Sequence, residues 1–237
     1  RGRIWRAVEC ARSNTDIWGK RYSAMIISAP DSADLLQAAS WSVTDSLPYD
    51  STYLDGKFGA WLEGNAVVTP DGNVADLLRV DYAPGPEYAA LIRLRDSVSF
   101  DPFDPEKDFV RMPGGAKKFT VRYDSLSGRY WSLVNYVTQE WAGKQNPAWV
   151  RNTLALSSSP NLQEWTVHRT VLHHPDIAKH GFQYADWLFD GNDIVLLSRT
   201  AYDDNGTGAH NCHDANYMTF HRIKDFRKAL TEQAGNR

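Results

Sequence analysis

Short runs with strand character, separated by turn residues, recur from one end of the chain to the other. Residues 4–9, 22–28 and 41–44 form a first group, and 65–69, 74–80, 89–94 and 98–100 a second. A third group takes in 118–123, 130–135, 153–157 and 165–171, and a fourth 182–189, 194–200 and 217–223. The third is the most regular. Phe119, Val121 and Tyr123 alternate with Thr120 and Arg122, the period of a half-buried strand, and 124–128 turns the chain back. Pro70-Asp71-Gly72-Asn73 is a turn with a mechanism, since Pro presets φ and Gly accepts positive φ. Strands at this spacing predict a sandwich, a barrel or a propeller.

Internal repeats choose among these. A strand ending in Ser28 is followed by Pro30, Asp31, Asp34 and Leu35, and then Trp41 opens the next strand. A strand ending in Ser157 is followed by Pro160, Asn161 and Leu162, and then by Trp165. Both read as a side-chain-bonded turn followed by an aromatic plug. Gly59, Gly114 and Gly181 each stand just before a strand, at blade-sized intervals. The expected fold is therefore all-β: a β-propeller of four-stranded antiparallel blades, about four present, over residues 1–224, followed by a polar tail over 225–237. Blade material before residue 1 is expected to be missing.

Composition narrows the function. Lys and Arg number 26 against 29 Asp and Glu, a net charge of -3 without a basic stripe, which argues against a nucleic-acid partner. No apolar run approaches the ~20 residues that span a bilayer, so no membrane partner is expected. The chain opens on Arg1, so a leader has been removed or the chain is a fragment; a secreted or periplasmic location is expected. Nine Trp and 11 Tyr are a heavy aromatic load, read either as sheet packing or as platforms for sugar rings. Cys10 and Cys212 can pair or stay as buried thiols.

Five segments carry a resemblance. They are Trp61-Leu-Glu-Gly-Asn, the run from Pro113 to Asp124, the run from Arg151 to Leu162, Gly181-Phe-Gln-Tyr-Ala-Asp-Trp, and His213-Asp-Ala-Asn-Tyr. Together they resemble the C-terminal part of bacterial sialidase-like proteins with Asp-box-type (BNR) repeats. The resemblance implies a propeller and a carbohydrate-active site at the mouth of its central channel.

In a propeller the first strand of each blade lines the channel, and the candidates are 5–9, 61–65, 117–120 and 183–187. Each carries charge inside an apolar or aromatic run, which is costly to bury unpaired. Glu63 beside Trp61 and Asp186 beside Trp187 are the expected carboxyl pair for glycosidic cleavage; the alternative is a salt bridge from these groups to Arg6 or Lys118. Tyr184 is a candidate nucleophile, activated by Asp186 or Glu63. His213 and Asp214 are candidates for proton transfer or for bonding their own loop. Arg6, Glu9, Lys118, Arg199, His180 and His210 are candidate substrate contacts, the cations suiting an acidic sugar. His210 and His213 have a spacing that two metal ligands can share, but no second ligand pair supports zinc, so neither metal nor cofactor is expected. The expected partner is a glycan or oligosaccharide. The expected activity is glycoside hydrolysis, with a lyase acting on uronate-linked sugars and a non-catalytic glycan-binding propeller as alternatives.

Overall fold

The computed structural model describes residues 2–11 and 15–232; residues 233–237 of the expected tail lie outside the described residues. The fold is all-β and propeller-type, with four antiparallel sheets as its blades. The chain divides into two compact units. One runs to Tyr82 and includes Tyr88–Val110; the other takes Ala83–Glu87 and the chain from Arg111 on. No described helix is long and apolar enough to cross a membrane.

The first unit holds two sheets. β1 (Arg3–Ala11), β2 (Tyr22–Pro30) and β3 (Ser42–Val43) make one, in that order. β4 (Ala60–Val68), β5 (Val74–Asp81), β6 (Tyr88–Arg93) and β7 (Phe109–Arg111) make the other. The second unit holds the sheet of β8 (Thr120–Asp124), β9 (Arg129–Asn135), β10 (Thr153–Ser159) and β11 (Thr166–His173). It also holds the sheet of β12 (Gly181–Asp190), β13 (Asp193–Ala201) and β14 (Tyr217–Ile223). Every pairing with a defined register is antiparallel, the economy of a meander whose neighbours in sequence are neighbours in space.

One expected strand is replaced. Residues 98–100 give only the isolated bridge Leu94 to Phe100, and β7 supplies the outer strand of that sheet instead. The Asp96 carboxylate accepts from the backbone N–H groups of Val98 and Ser99, both at 2.8 Å, which holds the segment as a turn.

The turn repeats have the anatomy their sequence implies. Asp34 accepts from Leu36 N, and Asn161 accepts from Gln163 N and Glu164 N. In both, the indole that follows donates to the carbonyl of the turn leucine: Trp41 to Leu35 at 3.1 Å and Trp165 to Leu162 at 3.0 Å.

Three tryptophans, Trp61, Trp131 and Trp187, are the largest core side chains. In the first unit Trp61 is fully buried and meets Tyr53, Phe58, Phe103 and Phe109, with Leu78, Val80 and Ile92 in the same cluster. In the second, Trp131 and Trp187 pack with Leu133, Leu154, Leu156 and Ile194. Burying each such side chain contributes about 1.5–3 kcal/mol. Phe226, at the start of the C-terminal segment, belongs to this second core and lies edge-on to Trp131 at 5.0 Å. Arg227 beside it forks onto Asp124 at 2.7 and 2.6 Å. Cys10 and Cys212 are free thiols, one in each unit.

Candidate functional site

In the first unit, β1 and β4 are the first strands of neighbouring sheets and pack beside one another. The register of β4 on β5 slips between Trp61 and Gly64, a bulge that sets Leu62 and Glu63 opposite Arg79. Bulges re-aim side chains, and this one brings Glu63 Oε2 to 3.1 Å from the Arg79 guanidinium. Arg79 is buried and Glu63 is partly exposed, so the ion pair opens to solvent on its carboxylate side.

Glu9 on β1 faces the same group. Its carboxyl pKa is raised, first by desolvation and further by the Glu63 charge, against the pull of its own backbone N–H, Arg6 and Arg79. The residue itself keeps solvent access. Behind it lies Asp76, 1 % exposed, whose Oδ1 has no hydrogen-bond partner among the described residues. Burial pushes the Asp76 carboxyl up to about 8; a hydrogen bond from Asn65 N opposes the rise, and the Glu9 charge adds to it. Gly64 makes room for it, because a Cβ there would stand 2.1 Å from Asp76 Oδ1. This unit therefore gathers Arg6, Glu9, Glu63, Asp76 and Arg79 from two inner strands and one neighbour.

The second unit repeats the device. The register of β12 on β13 slips between Gln183 and Asp186, and Tyr184 in the bulge has φ of 51°. A tyrosine in the left-handed region is strained, and such strain is held where the surroundings over-determine it. Here the Arg199 guanidinium lies 4.7 Å from the Tyr184 ring centroid and that of Arg151 lies 6.0 Å away. His213 meets the same ring edge-on at 6.2 Å. Buried Gln183 holds the arrangement, accepting from Arg151 at 2.8 Å and donating to the carbonyls of Cys212 and His213 at 2.8 and 2.7 Å. Arg199 donates to the His213 carbonyl at 3.0 Å.

The remaining expected residues fall as follows. Asp186 is exposed, 3.3 Å from Arg122, and accepts from its own neighbour Trp187 N. Glu63 and Asp186 thus stand in different units, each with its own arginine, and neither of those partners is Arg6 or Lys118. Tyr184 and Asp186 have different partners because the bulge breaks the period of two: Tyr184 goes to Arg199 and His213, Asp186 to Arg122. Lys118 donates to Thr120 Oγ1 at 2.8 Å. Asp214 takes His213 and His210 at 3.3 Å each and Asn211 at 2.8 Å, which hold its carboxyl below the usual range. With Asn211 Oδ1 accepting from His213 N and Asp214 N, this cluster bonds its own loop. His180 is buried, its Nδ1 on Asp176 at 2.7 Å, and its ring is stacked on His174 at 3.5 Å. One donor atom each of His174, Asp176 and His180 lies within 4.8 Å of the others.

Sequence reasoning passed over Arg79, Asp76, Arg151 and Gln183. A signal existed for the first two: a carboxylate and a guanidinium inside the apolar run 74–80 must be partnered or solvated. Nothing local marks Arg151 and Gln183, whose importance comes from the pairing of distant strands.

No family model matches the chain, and no curated protein matches it. Solved structures do. The Bombyx mori GH32 beta-fructofuranosidase BmSUC1 superposes with a TM-score of 0.56 at 13% identity over 85% of this chain and 39% of its own. The Phanerochaete chrysosporium exo-beta-1,3-galactanase gives 0.52 at 9% over 89% and 47%. The Microbacterium saccharophilum beta-fructofuranosidase catalytic domain gives 0.51 at 11% over 95% and 58%. The chain spans less than half the length of the first two. At these identities the likeness is one of fold: this chain shares the blade architecture of propeller-type glycoside hydrolases.

Proposed function

We propose that the chain carries the catalytic carboxyl pair of a glycoside hydrolase, with Glu9 as the general acid and Glu63 as the carboxylate that faces the developing positive charge. The supporting observation is the opposed setting of two carboxyl groups on neighbouring strands. Desolvation and the Glu63 charge raise the Glu9 carboxyl above its ordinary range, while Arg79 at 3.1 Å pairs with Glu63. A raised carboxyl beside one paired with a guanidinium suits a division into acid and base. In this reading Glu9 gives its proton to the leaving-group oxygen as the glycosidic C–O bond breaks. Glu63 then stabilises the oxocarbenium-like centre, as a nucleophile or by activating water. Arg6, on the strand that carries Glu9, favours an acidic glycan, and the sialidase-like motifs point the same way.

The test is turnover by the full-length protein on sialosides, uronosides, fructosides and beta-1,3-galactosides. Glu9→Gln and Glu63→Gln are each expected to cost about a hundredfold or more in kcat. Glycan binding without turnover on every class would refute the hydrolase.

A second reading rests on the Tyr184, Arg199 and His213 group. A base beside a guanidinium that can hold a uronate carboxylate is the equipment of a lyase, which abstracts the proton α to that carboxylate. Unsaturated, ultraviolet-absorbing products would identify it, and hydrolysis without unsaturation would exclude it.

A further inference from the structure

The antiparallel register of β12 on β13 pairs Gly181 with Ala201. The residues just outside that pair, His180 before β12 and Tyr202-Asp203 after β13, are therefore brought together where two loops leave the sheet. His180 is only 5 % exposed. Its Nδ1 sits 2.7 Å from Asp176 Oδ2, and that carboxylate is itself fixed by the backbone N–H groups of Ala178 and Lys179 at 2.8 and 3.1 Å. The Asp176 carboxylate accepts the hydrogen bond of Nδ1–H, and in the neutral ring this leaves the lone pair on Nε2.

That lone pair is buried and has no hydrogen-bond partner among the described residues. What it faces is an anion, Asp203 Oδ1, at 3.4 Å. Two acceptors turned on each other at this distance repel unless a cation lies between them. The separation suits a metal: donor atoms about 2.0–2.2 Å from a tetrahedral ion stand about 3.3–3.6 Å apart. The surroundings are ordered for it. His174 stacks face-on behind His180 with planes 16° apart, its Nδ1 taking the Asp176 N–H at 3.1 Å, and Tyr202 meets both rings edge-on. Asp203 is well exposed, which leaves water free to complete the coordination.

We propose that His180 Nε2 and Asp203 Oδ1 are the protein ligands of a divalent transition-metal site, with Asp176 as the carboxylate that orients His180. The ion clasps the loop before β12 to the loop after β13. Mixed imidazole and carboxylate donors suit zinc and its neighbours better than calcium or magnesium. The site is independent of the Glu9 and Glu63 pair, so it stands whether or not the chain is a hydrolase.

The experiment is calorimetric titration of the metal-stripped full chain with Zn2+, with the thermal midpoint followed in parallel. One equivalent is expected to bind and the midpoint to rise with Zn2+ concentration. Asp203→Asn, an isosteric change at an exposed position, is expected to weaken Zn2+ affinity at least about tenfold, and Asp176→Asn by about 10–100-fold. His210→Gln, on the other histidine cluster, is expected to leave it unchanged. Folded wild-type protein that shows no saturable Zn2+ binding would overturn the proposal. So would binding that survives Asp203→Asn but is lost in His210→Gln, or a midpoint raised by mild acid and indifferent to Zn2+, which would make the cation a proton on Nε2.

Discussion

Arg79 holds Glu63 at 3.1 Å across the bulge that β4 makes against β5, and the Glu63 charge adds to the desolvation that raises the Glu9 carboxyl on the neighbouring strand. The bulge accounts for the geometry. Without the extra residue, Glu63 would follow the alternation of the strand and turn away from Arg79.

Replacing Arg79 by Met keeps the bulk and removes the charge. Loss of the partner of a partly buried carboxylate is expected to cost about 1–3 kcal/mol in folding stability. Activity should fall further than stability explains, because the pair that orients Glu63 is gone. Urea unfolding and kcat measured on the same preparation check both parts.

Asp76 gives the chain a pH signature of its own. Its folded pKa is raised from 3.8 to about 8, so between those values the folded state binds a proton that the unfolded state has lost. Stability from this residue therefore falls as pH rises through that window, by no more than about 1.4 kcal/mol per pH unit, and levels off above pH 8. Asp76→Asn is expected to flatten the alkaline side of the stability curve and to raise the midpoint at pH 8 relative to wild type. Thermal melts across the pH range read this directly.

Asp124 behaves in the opposite sense. Arg227 first of all, with Ser127 assisting, lowers its carboxyl to about 2 from 3.8. The stabilisation is fully present above pH 3.8 and is lost as pH falls through the folded value. Arg227→Ala should therefore cost about 2 kcal/mol at neutral pH and little near pH 2, a difference that denaturant titration at the two pH values will show. The same variant tests how far the C-terminal segment is part of the second unit.

Lys117 lies fully buried with its ammonium on Glu87 and on the Pro147 carbonyl at 3.0 Å. Glu87 also accepts from Gly114 N at 2.8 Å. Lys117→Met leaves that carboxylate buried without its counter-charge and is expected to cost about 3–5 kcal/mol, whereas the double change with Glu87→Gln should recover much of it. A double-mutant cycle by chemical denaturation measures the coupling.

The sheets were legible because alternation and turn chemistry are local. The β8 strand, the Asp34 and Asn161 turns and the indoles that follow them needed no knowledge of distant partners, although Tyr123, expected on the face of Phe119 and Val121, is exposed and Thr120 is buried. The site was legible only in part. Glu63 stood out as a charge beside Trp61, but its partner Arg79 and the role of Glu9 depend on a register slip, which a period of two cannot foresee. The same slip at Tyr184 separated it from Asp186. His180 read as a substrate contact, and only the strand pairing of Gly181 with Ala201 brings Asp203 to it.

The most direct test of the central claim is the leaving-group dependence of Glu9→Gln. If Glu9 is the general acid, the variant should lose about a hundredfold or more in kcat/KM on glycosides with alkyl leaving groups and little on those with activated aryl leaving groups, which depart without a proton. The basic limb of the pH profile should disappear with it. Equal losses on both substrate kinds, or an unchanged basic limb, would contradict the assignment.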